Sequence, residues 1–480
     1  MNASSVTQHA LDHVSPGDCS SGDLPRYLYY LFAASLAVAL VIFSENIHFR
    51  DFGDYSRAIE FMVHAVRVEP HLLWAFREDG IGTVPGLDPS ALMFKLMGTV
   101  QHWYSDFYHL RVNSLLAKLV LLLYADRLAR LMSRHFQRPV LSRTIMFTAV
   151  SLSFFYAHNI GMANSFYAEY AFLLFFPLLL LGFLRAPFNH GKLLIVLGAL
   201  LCGLSKVQYF YIPALVLVCV VALDLRARRR TPWWLVAALC LAQAVCLLPL
   251  RKNPYAELNH HQSTFFGSYM MLEPQQLRVL GLDDEQIACV GIDGWGHKAL
   301  GPGGTQPEHV GNSCYRRHPK STADVLAPYL RYPGTLFKLM AFALPHHFTV
   351  RYVHLYPYFS YIVPSNGKDF KGGRLLVKLS DLREQTVTRM ASALVALGLV
   401  LPFLRRPGQH RGLGLSCLFL ALFILSQIVI SLLGEGIRDL SKHLWAAQLA
   451  LDFLLLALLA QATLWFTHAR RARHVPQALP

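Results

Sequence analysis

A chain of 480 residues that is 54% hydrophobic and only 15% charged, with mean hydropathy +0.36, is too apolar for a soluble protein and has the composition of a multi-span membrane protein. Its formal charge of +15 does not point to nucleic acid. The arginines sit in short segments between apolar runs, ADRLARLMSRHFQRPVLSR (125–143), RARRR (226–230), RRPGQHR (405–411) and HARRARH (468–474), and such loops mark the cytoplasmic side of a bilayer.

A helix needs about 20 mostly apolar residues to cross a membrane. Spans are predicted at 27–44, 113–131, 144–160, 168–184, 190–204, 208–225, 233–250, 387–404, 412–433 and 443–466. The leader before the first run is long, acidic as well as basic, and lacks a signal-peptide n-region, so that run is expected to stay as a span with the N-terminus inside. The count turns on 193–224. One overlong helix there would put Arg226, Arg228, Arg229 and Arg230 outside and invert every later loop. A turn at Ser205-Lys206-Val207-Gln208 gives two helices and keeps all four arginine-rich loops inside.

The expected fold is therefore an all-α multi-span bundle of about ten transmembrane helices. A cytoplasmic tail covers 1–26, and a transmembrane core covers 27–250 with a first outer loop at 45–112 holding interfacial helices. An extracytoplasmic surface segment covers 251–386, transmembrane helices cover 387–466, and a basic cytoplasmic tail covers 467–480. The surface segment is too long for a plain loop. It combines Gly/Pro turns (GIDGWGHKALGPGGTQPEH) with STADVLAPYLRYPGTLFKLMAFAL, which suits a helix lying in the interface. Cys289 and Cys314 are the cysteines of this segment, where either a disulfide or two free thiols is permitted.

Polar groups from distant parts of the chain fall on the predicted outer rim. The first loop supplies Asp51, Asp54 and Arg57 in RDFGDYSRAIEF (50–61). HNIGMANSFYAEY (158–170) supplies Asn159, Asn164, Ser165 and Glu169, the next turn Ser205, Lys206 and Gln208, and GEGIRDLSKH (434–443) Glu435, Arg438, Asp439, Lys442 and His443. Each has a plain reading too: a solvated carboxylate, a lysine snorkelling to headgroups, a helix entry. Glu169 and Asp452 are harder to set aside, because ionisable groups within or beside apolar spans are costly and usually paired.

Acids beside cations at a lipid edge suit a sugar carried on a lipid phosphate. A carboxylate takes the proton of an acceptor hydroxyl while cations stabilise the departing phosphate. Asp54 is the candidate base. Lys206, Arg438, Lys442, His443 and Arg57 are candidates for the phosphate, and Asn164, Gln208, Glu435 and Asp439 for sugar or acceptor. Asp51 or Glu169 would steady positive charge on the sugar, and Asp51 and Asp54 are candidates for a divalent cation, Mg or Mn. Tyrosines and histidines in HHFTVRYVHLYPYFSYIVPS (346–365) would stack on sugars or form an interfacial belt. No phosphate-binding GxxxxGK[ST] loop or dinucleotide fingerprint occurs, which favours a lipid-linked donor over a sugar nucleotide.

GDYSR (53–57), NSFYAEY (164–170), LSKVQYFYIP (204–213), STFFGSYMMLEPQQLRVLGLDDEQIACVG (263–291) and GEGIRDLSKHLWAAQLALD (434–452) occur in that order. Together they resemble bacterial integral-membrane glycan-biosynthesis hexosyltransferases of the GT-C class. The resemblance implies a GT-C-like bundle in the bacterial inner membrane with its site facing the periplasm or cell exterior. It also implies an inverting transferase that uses a polyprenyl-phosphate sugar and a glycan, lipid or protein acceptor. By resemblance Asp54 matches the aspartate of the GD-x-x-R element, Glu169 the acid after the second outer turn, and Lys442–His443 the basic pair opening the last span; Asp51 has no match. A transporter or flippase of lipid-linked sugars is the alternative from another class, and a glycan polymerase or ligase the nearest enzymatic one.

Overall fold

The computed structural model describes residues 24–45, 47–49, 55–69, 73–78, 80–83, 88–134, 136, 139–252, 255–301, 304–307, 313–350, 362–364, 371–404 and 411–473. The chain is mostly helical, and each predicted span falls on a helix. Among the described residues six helices are long and apolar enough to cross a membrane: Leu24–Phe43, Val207–Arg226, Trp233–Leu250, Gly373–Leu404, Arg411–Glu435 and Trp445–Phe466. The helices Pro139–Phe155 and Ala157–Ala163 meet at a 66° bend and make a seventh if read as one broken span.

The remaining segments miss the criteria for physical reasons. Glu169–Leu184 and Asn189–Ser205 have 16 and 17 residues, roughly 25 Å at about 1.5 Å per residue, short of a hydrocarbon core about 30 Å thick. Leu110–Ser133 is long enough but carries Arg111, Lys118, Asp126, Arg127 and Arg130. Glu169–Leu184 has little need of lipid, being buried at nearly every position. Phe172 packs on Tyr209 (centroids 4.5 Å apart) and Phe423 (5.7 Å), and Phe176 on Phe453 (5.8 Å), so this helix is the axis around which the others gather. Asn189–Ser205 lies against it at Gly198, where a Cβ would come within 2.8 Å of Leu179 Cα. A small residue at such a contact lets two backbones approach closely.

Between Ser205 and Val207 the chain is extended at Lys206 (φ −156°, ψ 144°), so 193–224 is two helices rather than one. The helix expected to begin at 387 instead begins at Lys371 and continues through a turn at Thr388–Met390 into Ala391–Leu404. That earlier start draws polar residues into the bundle because Arg383 finds a buried partner there.

The helix ends sort by charge. At the arginine-rich end Arg411 pairs with Asp224 (2.6 Å), and Arg143 pairs with Asp126 (2.5 Å) while stacking on Tyr29. The opposite end carries the first loop and the surface segment. The first loop is not purely helical: Val63–Glu69, Leu73–Phe76 and Phe107–His109 make a three-stranded antiparallel sheet. The β-branched Val63, Val66 and Val68 suit such a strand. Helix Pro89–His102 follows, capped by Asp88, whose carboxylate accepts from the backbone N–H of Ser90 at 2.8 Å.

In the surface segment, short helices surround a hairpin of strands His297–Gly301 and Gly304–Pro307, and a disulfide joins Cys289 to Cys314. The stretch expected as one interfacial helix is two, Thr322–Arg331 and Gly334–His347, separated at Tyr332-Pro333. Leu330 and Phe337 point outward from this pair, in keeping with an interfacial position. Of the aromatic run at 346–365, residues 351–361 and Ser365 lie outside the described residues.

Candidate functional site

Four helix ends meet opposite the arginine-rich loops. Glu169 opens the central helix and is 1% exposed, yet its charge is matched: Lys206, at the extended break, donates to Glu169 Oε1 at 2.6 Å. Lys206 Nζ also lies 3.3 Å from Nδ1 of His443, and His443 Nε2 lies 2.5 Å from Glu435 Oε2 at the end of Arg411–Glu435. Gln208 and Gln427 both donate to the His443 carbonyl, at 3.2 and 3.0 Å, which fixes where the imidazole stands. The result is a chain of ionisable groups, Glu169–Lys206–His443–Glu435, with an acid at each end and two basic groups between, drawn from three outer turns.

One atom of that chain has two suitors. His443 Nδ1 is 2.8 Å from Gln208 Oε1, an acceptor, and 3.3 Å from Lys206 Nζ, a donor. A protonated Nδ1 serves only the first and a bare Nδ1 only the second. The imidazole can therefore be a cation held between Gln208 and Glu435, or a neutral ring that accepts from Lys206. Lys206 and Glu435 keep side-chain exposures of 18% and 27%, so a ligand can reach this chain. Lys442 stands beside it, its ammonium 5.6 Å from the centre of the Tyr167 ring.

The first loop closes over the same end through aromatic packing. Tyr55 meets Phe166 (5.4 Å) and Tyr167 (5.2 Å), Phe94 meets Phe166 (5.1 Å) and Tyr170 (4.9 Å), and the Ser90 hydroxyl donates to the Ala168 carbonyl at 2.6 Å. These contacts explain NSFYAEY as a docking turn. Asp88 is thereby partly buried, and the desolvation pushes its carboxyl up to about 6, with the Glu169 charge adding a little. Its sequence signal was the Asp-Pro-Ser of a helix start, which says cap and nothing about the neighbouring site.

Several predicted site residues serve elsewhere. Asn164 is buried and donates to the carbonyls of Ser44 (2.9 Å) and Ile47 while accepting from Ser114, which pins the start of the first loop. Arg438 does not join the charged chain. It pairs with Asp293 of the surface segment and lies 4.7 Å from the Trp295 ring centre. Asp293 also accepts from the backbone N–H groups of Trp295 (2.8 Å) and His297 (2.9 Å), so Arg438 staples the surface segment to the bundle. Asp439 takes the left-handed conformation (φ +48°) that turns the chain into Leu440–His443. Beside it Gly436 (φ +61°) is required: a Cβ there would meet the carbonyls of Gln262 and Phe266 at 2.5 Å, and the neighbouring Ile437 N–H bonds to Phe266 O at 3.1 Å. STFFG and GEG are thus two halves of one contact. Asp51, Asp54 and the side chain of Arg57 lie outside the described residues, and among the described residues no three His, Cys, Asp or Glu groups gather as for a metal.

Residues 108–476 match the family described as the YfdI N-terminal transmembrane domain. The chain belongs to that family. Uncharacterized protein YfdI of Escherichia coli (strain K12) is 23% identical over 432 residues, covering 88% of this chain and 92% of that one. No solved structure matches. With six apolar helices of spanning length, this YfdI-family chain is a multi-pass membrane protein.

The family match also takes in a second ionic cluster, of which Asp452 alone was singled out in the sequence. Arg383 Nε donates to Asp452 Oδ1 at 2.6 Å, Nη1 to Thr388 Oγ1 and Gln448 Oε1 at 2.6 Å, and Nη2 to the Gln448 carbonyl at 2.7 Å. Both charges are almost fully buried, 1% and 2% exposed. Arg383 escaped notice because it sits in LSDLREQT, which reads as a polar surface stretch.

Proposed function

We propose that this chain is a membrane glycosyltransferase that moves a sugar from a polyprenyl-phosphate donor to a hydroxyl of a cell-surface glycan, lipid or protein. In this reading all ten helical segments cross the bacterial inner membrane, the shorter ones shielded inside the bundle, and the Glu169–Lys206–His443–Glu435 chain faces the periplasm or cell exterior. The observation that supports it is the convergence of three chain-distant turns into a partly open, mixed-charge cluster at the end away from the arginine-rich loops.

In the proposed reaction the acceptor oxygen bonds to the anomeric carbon as the bond to the phosphate oxygen breaks. Asp54 takes the acceptor proton, and the polyprenyl phosphate leaves with both bonding electrons. Lys206, Lys442 and cationic His443 stabilise that phosphate, and the configuration inverts because attack and departure occur on opposite faces. Glu169 holds Lys206 at the rim. Tyr55, next in sequence to Asp54, packs on the Tyr167 ring that Lys442 faces, so the first loop and the cations share one wall.

Asp54→Asn tests this directly. Surface glycans compared by mass spectrometry, from cells with the wild type, the variant and neither, should lack one sugar in the variant while the protein inserts normally. Unaltered glycan assembly by Asp54→Asn removes Asp54 from the mechanism. Lost sugar transport across vesicles, with transfer on the outer face intact, would favour a flippase.

A further inference from the structure

Lys118 lies deep in the helix Leu110–Ser133 and is only 4% exposed. It has no hydrogen-bond or ion-pair partner among the described residues; Glu45, just past the first helix, attracts it from a distance without bonding to it. A buried lysine in a bilayer without a counter-charge costs several kcal/mol, so the group calls for an anion from outside the protein.

Its surroundings say where that anion enters. A helical lysine points back along the helix toward its N-terminus, here about 12 Å away at about 1.5 Å per residue. One turn in that direction stands Ser114, bonded to Asn164, which also holds the Ser44 and Ile47 carbonyls, so Lys118 looks to the end of helix Leu24–Phe43. Two turns in that direction, on the same face, stands Arg111, a second cation, half-exposed and 3.8 Å from Glu45. The flanking face of the helix, Leu115, Leu116, Leu119 and Leu123, is apolar and exposed.

We propose that Lys118 and Arg111 hold the phosphate of a membrane lipid between the helices Leu24–Phe43 and Leu110–Ser133, with the lipid chains along the leucine face. The ammonium meets the phosphate from below and the guanidinium from the headgroup side, the arrangement expected for a ligand whose charge sits at the rim and whose tail sits in hydrocarbon. The site uses none of the residues of the charged chain and stands whether or not the protein transfers sugars.

The test is thermal unfolding and native mass spectrometry of the full chain in neutral detergent, with phosphatidylglycerol, a long-chain prenyl monophosphate, diacylglycerol or inorganic phosphate added. Wild type should retain a phosphorylated lipid and unfold several degrees higher with it, and diacylglycerol and inorganic phosphate should do neither. Whichever phosphorylated lipid stabilises identifies the source. Lys118→Met should bind that lipid at least tenfold more weakly and be no less stable than wild type without it. Equal binding by Lys118→Met, or equal stabilisation by diacylglycerol, overturns the site. So does failure of both Lys118→Met and Lys118→Gln to fold, because protein groups would then already compensate the ammonium.

Discussion

Two ionic clusters built from the same kinds of residue stand in this bundle and differ in what they leave over. Around Arg383 and Asp452 the guanidinium spends four hydrogen bonds on one carboxylate, one threonine and both ends of Gln448, and nothing of the pair reaches solvent. Around Lys206 and His443 two basic groups adjoin between two acids, one imidazole nitrogen is claimed twice, and two members stay partly open. A network sealed from solvent, with every guanidinium nitrogen bonded even though Asp452 Oδ2 and Gln448 Nε2 find no hydrogen-bond partner among the described residues, orients helices. A shared and open one keeps capacity for a ligand. The first therefore belongs to folding and the second to chemistry, and substitutions can separate them.

The largest effect should come from the sealed pair. Asp452→Ala leaves Arg383 charged and buried and should cost about 3–5 kcal/mol, whereas the double variant Arg383→Met/Asp452→Leu should recover most of that. Thermal unfolding in detergent reads both, and a double variant as unstable as the single one would show that the pair supplies more than compensation.

The disulfide Cys289–Cys314 closes a separation of 25 residues, so its loss should cost ~3 kcal/mol. The loss should be confined to the surface segment: Cys289→Ser/Cys314→Ser should speed proteolysis between residues 256 and 347 and leave the bundle's unfolding unchanged. A lowered bundle transition would mean that the staple at Arg438 transmits the damage.

In the open cluster, Lys206→Met should lower proposed sugar transfer about 10²-fold by removing a cation from the leaving phosphate. Because it also leaves Glu169 unpaired, it confounds rate with stability. Lys206→Met/Glu169→Gln separates the two: stability should return and transfer should not. Recovery of both would make the pair structural, like its sealed counterpart.

What the sequence disclosed follows how locally each feature is specified. The break at Lys206 was legible because loop charge demands it, Glu169 stood out because ionisable groups beside apolar runs are costly, and Glu435 and His443 were candidates because they fall on the same predicted outer rim. The pairing of Arg438 was not legible because its partner Asp293 lies 145 residues away, in another segment. Arg383 was missed for a similar reason, with Asp452 69 residues on. The backbone contacts of Asn164 were not legible either: its type suggests sugar binding, and an amide bonds equally well to backbone carbonyls. The strands of the first loop are too short for their alternation to outweigh the apolar helices around them.

Asp88 offers the finest discrimination, because it borders the open cluster yet is held by backbone like the sealed one. A helix N-terminus favours a carboxylate, so an aspartic carboxyl pushed up to about 6 means that desolvation outweighs the cap. An unfolded aspartate titrates near 3.9, so between about pH 4 and 6 the folded chain binds a proton that the unfolded chain does not. Stability should then fall as pH rises through that window and level off above it, losing about 1 kcal/mol between pH 5 and 7. Asp88→Asn keeps an acceptor at the cap but carries no charge at any pH, so its unfolding curve should lack this slope. If wild type and Asp88→Asn change in parallel from pH 4 to 7, Asp88 is ionised throughout. A second carboxylate would then stand beside Glu169, and the site would carry one more negative charge than a phosphate ligand favours.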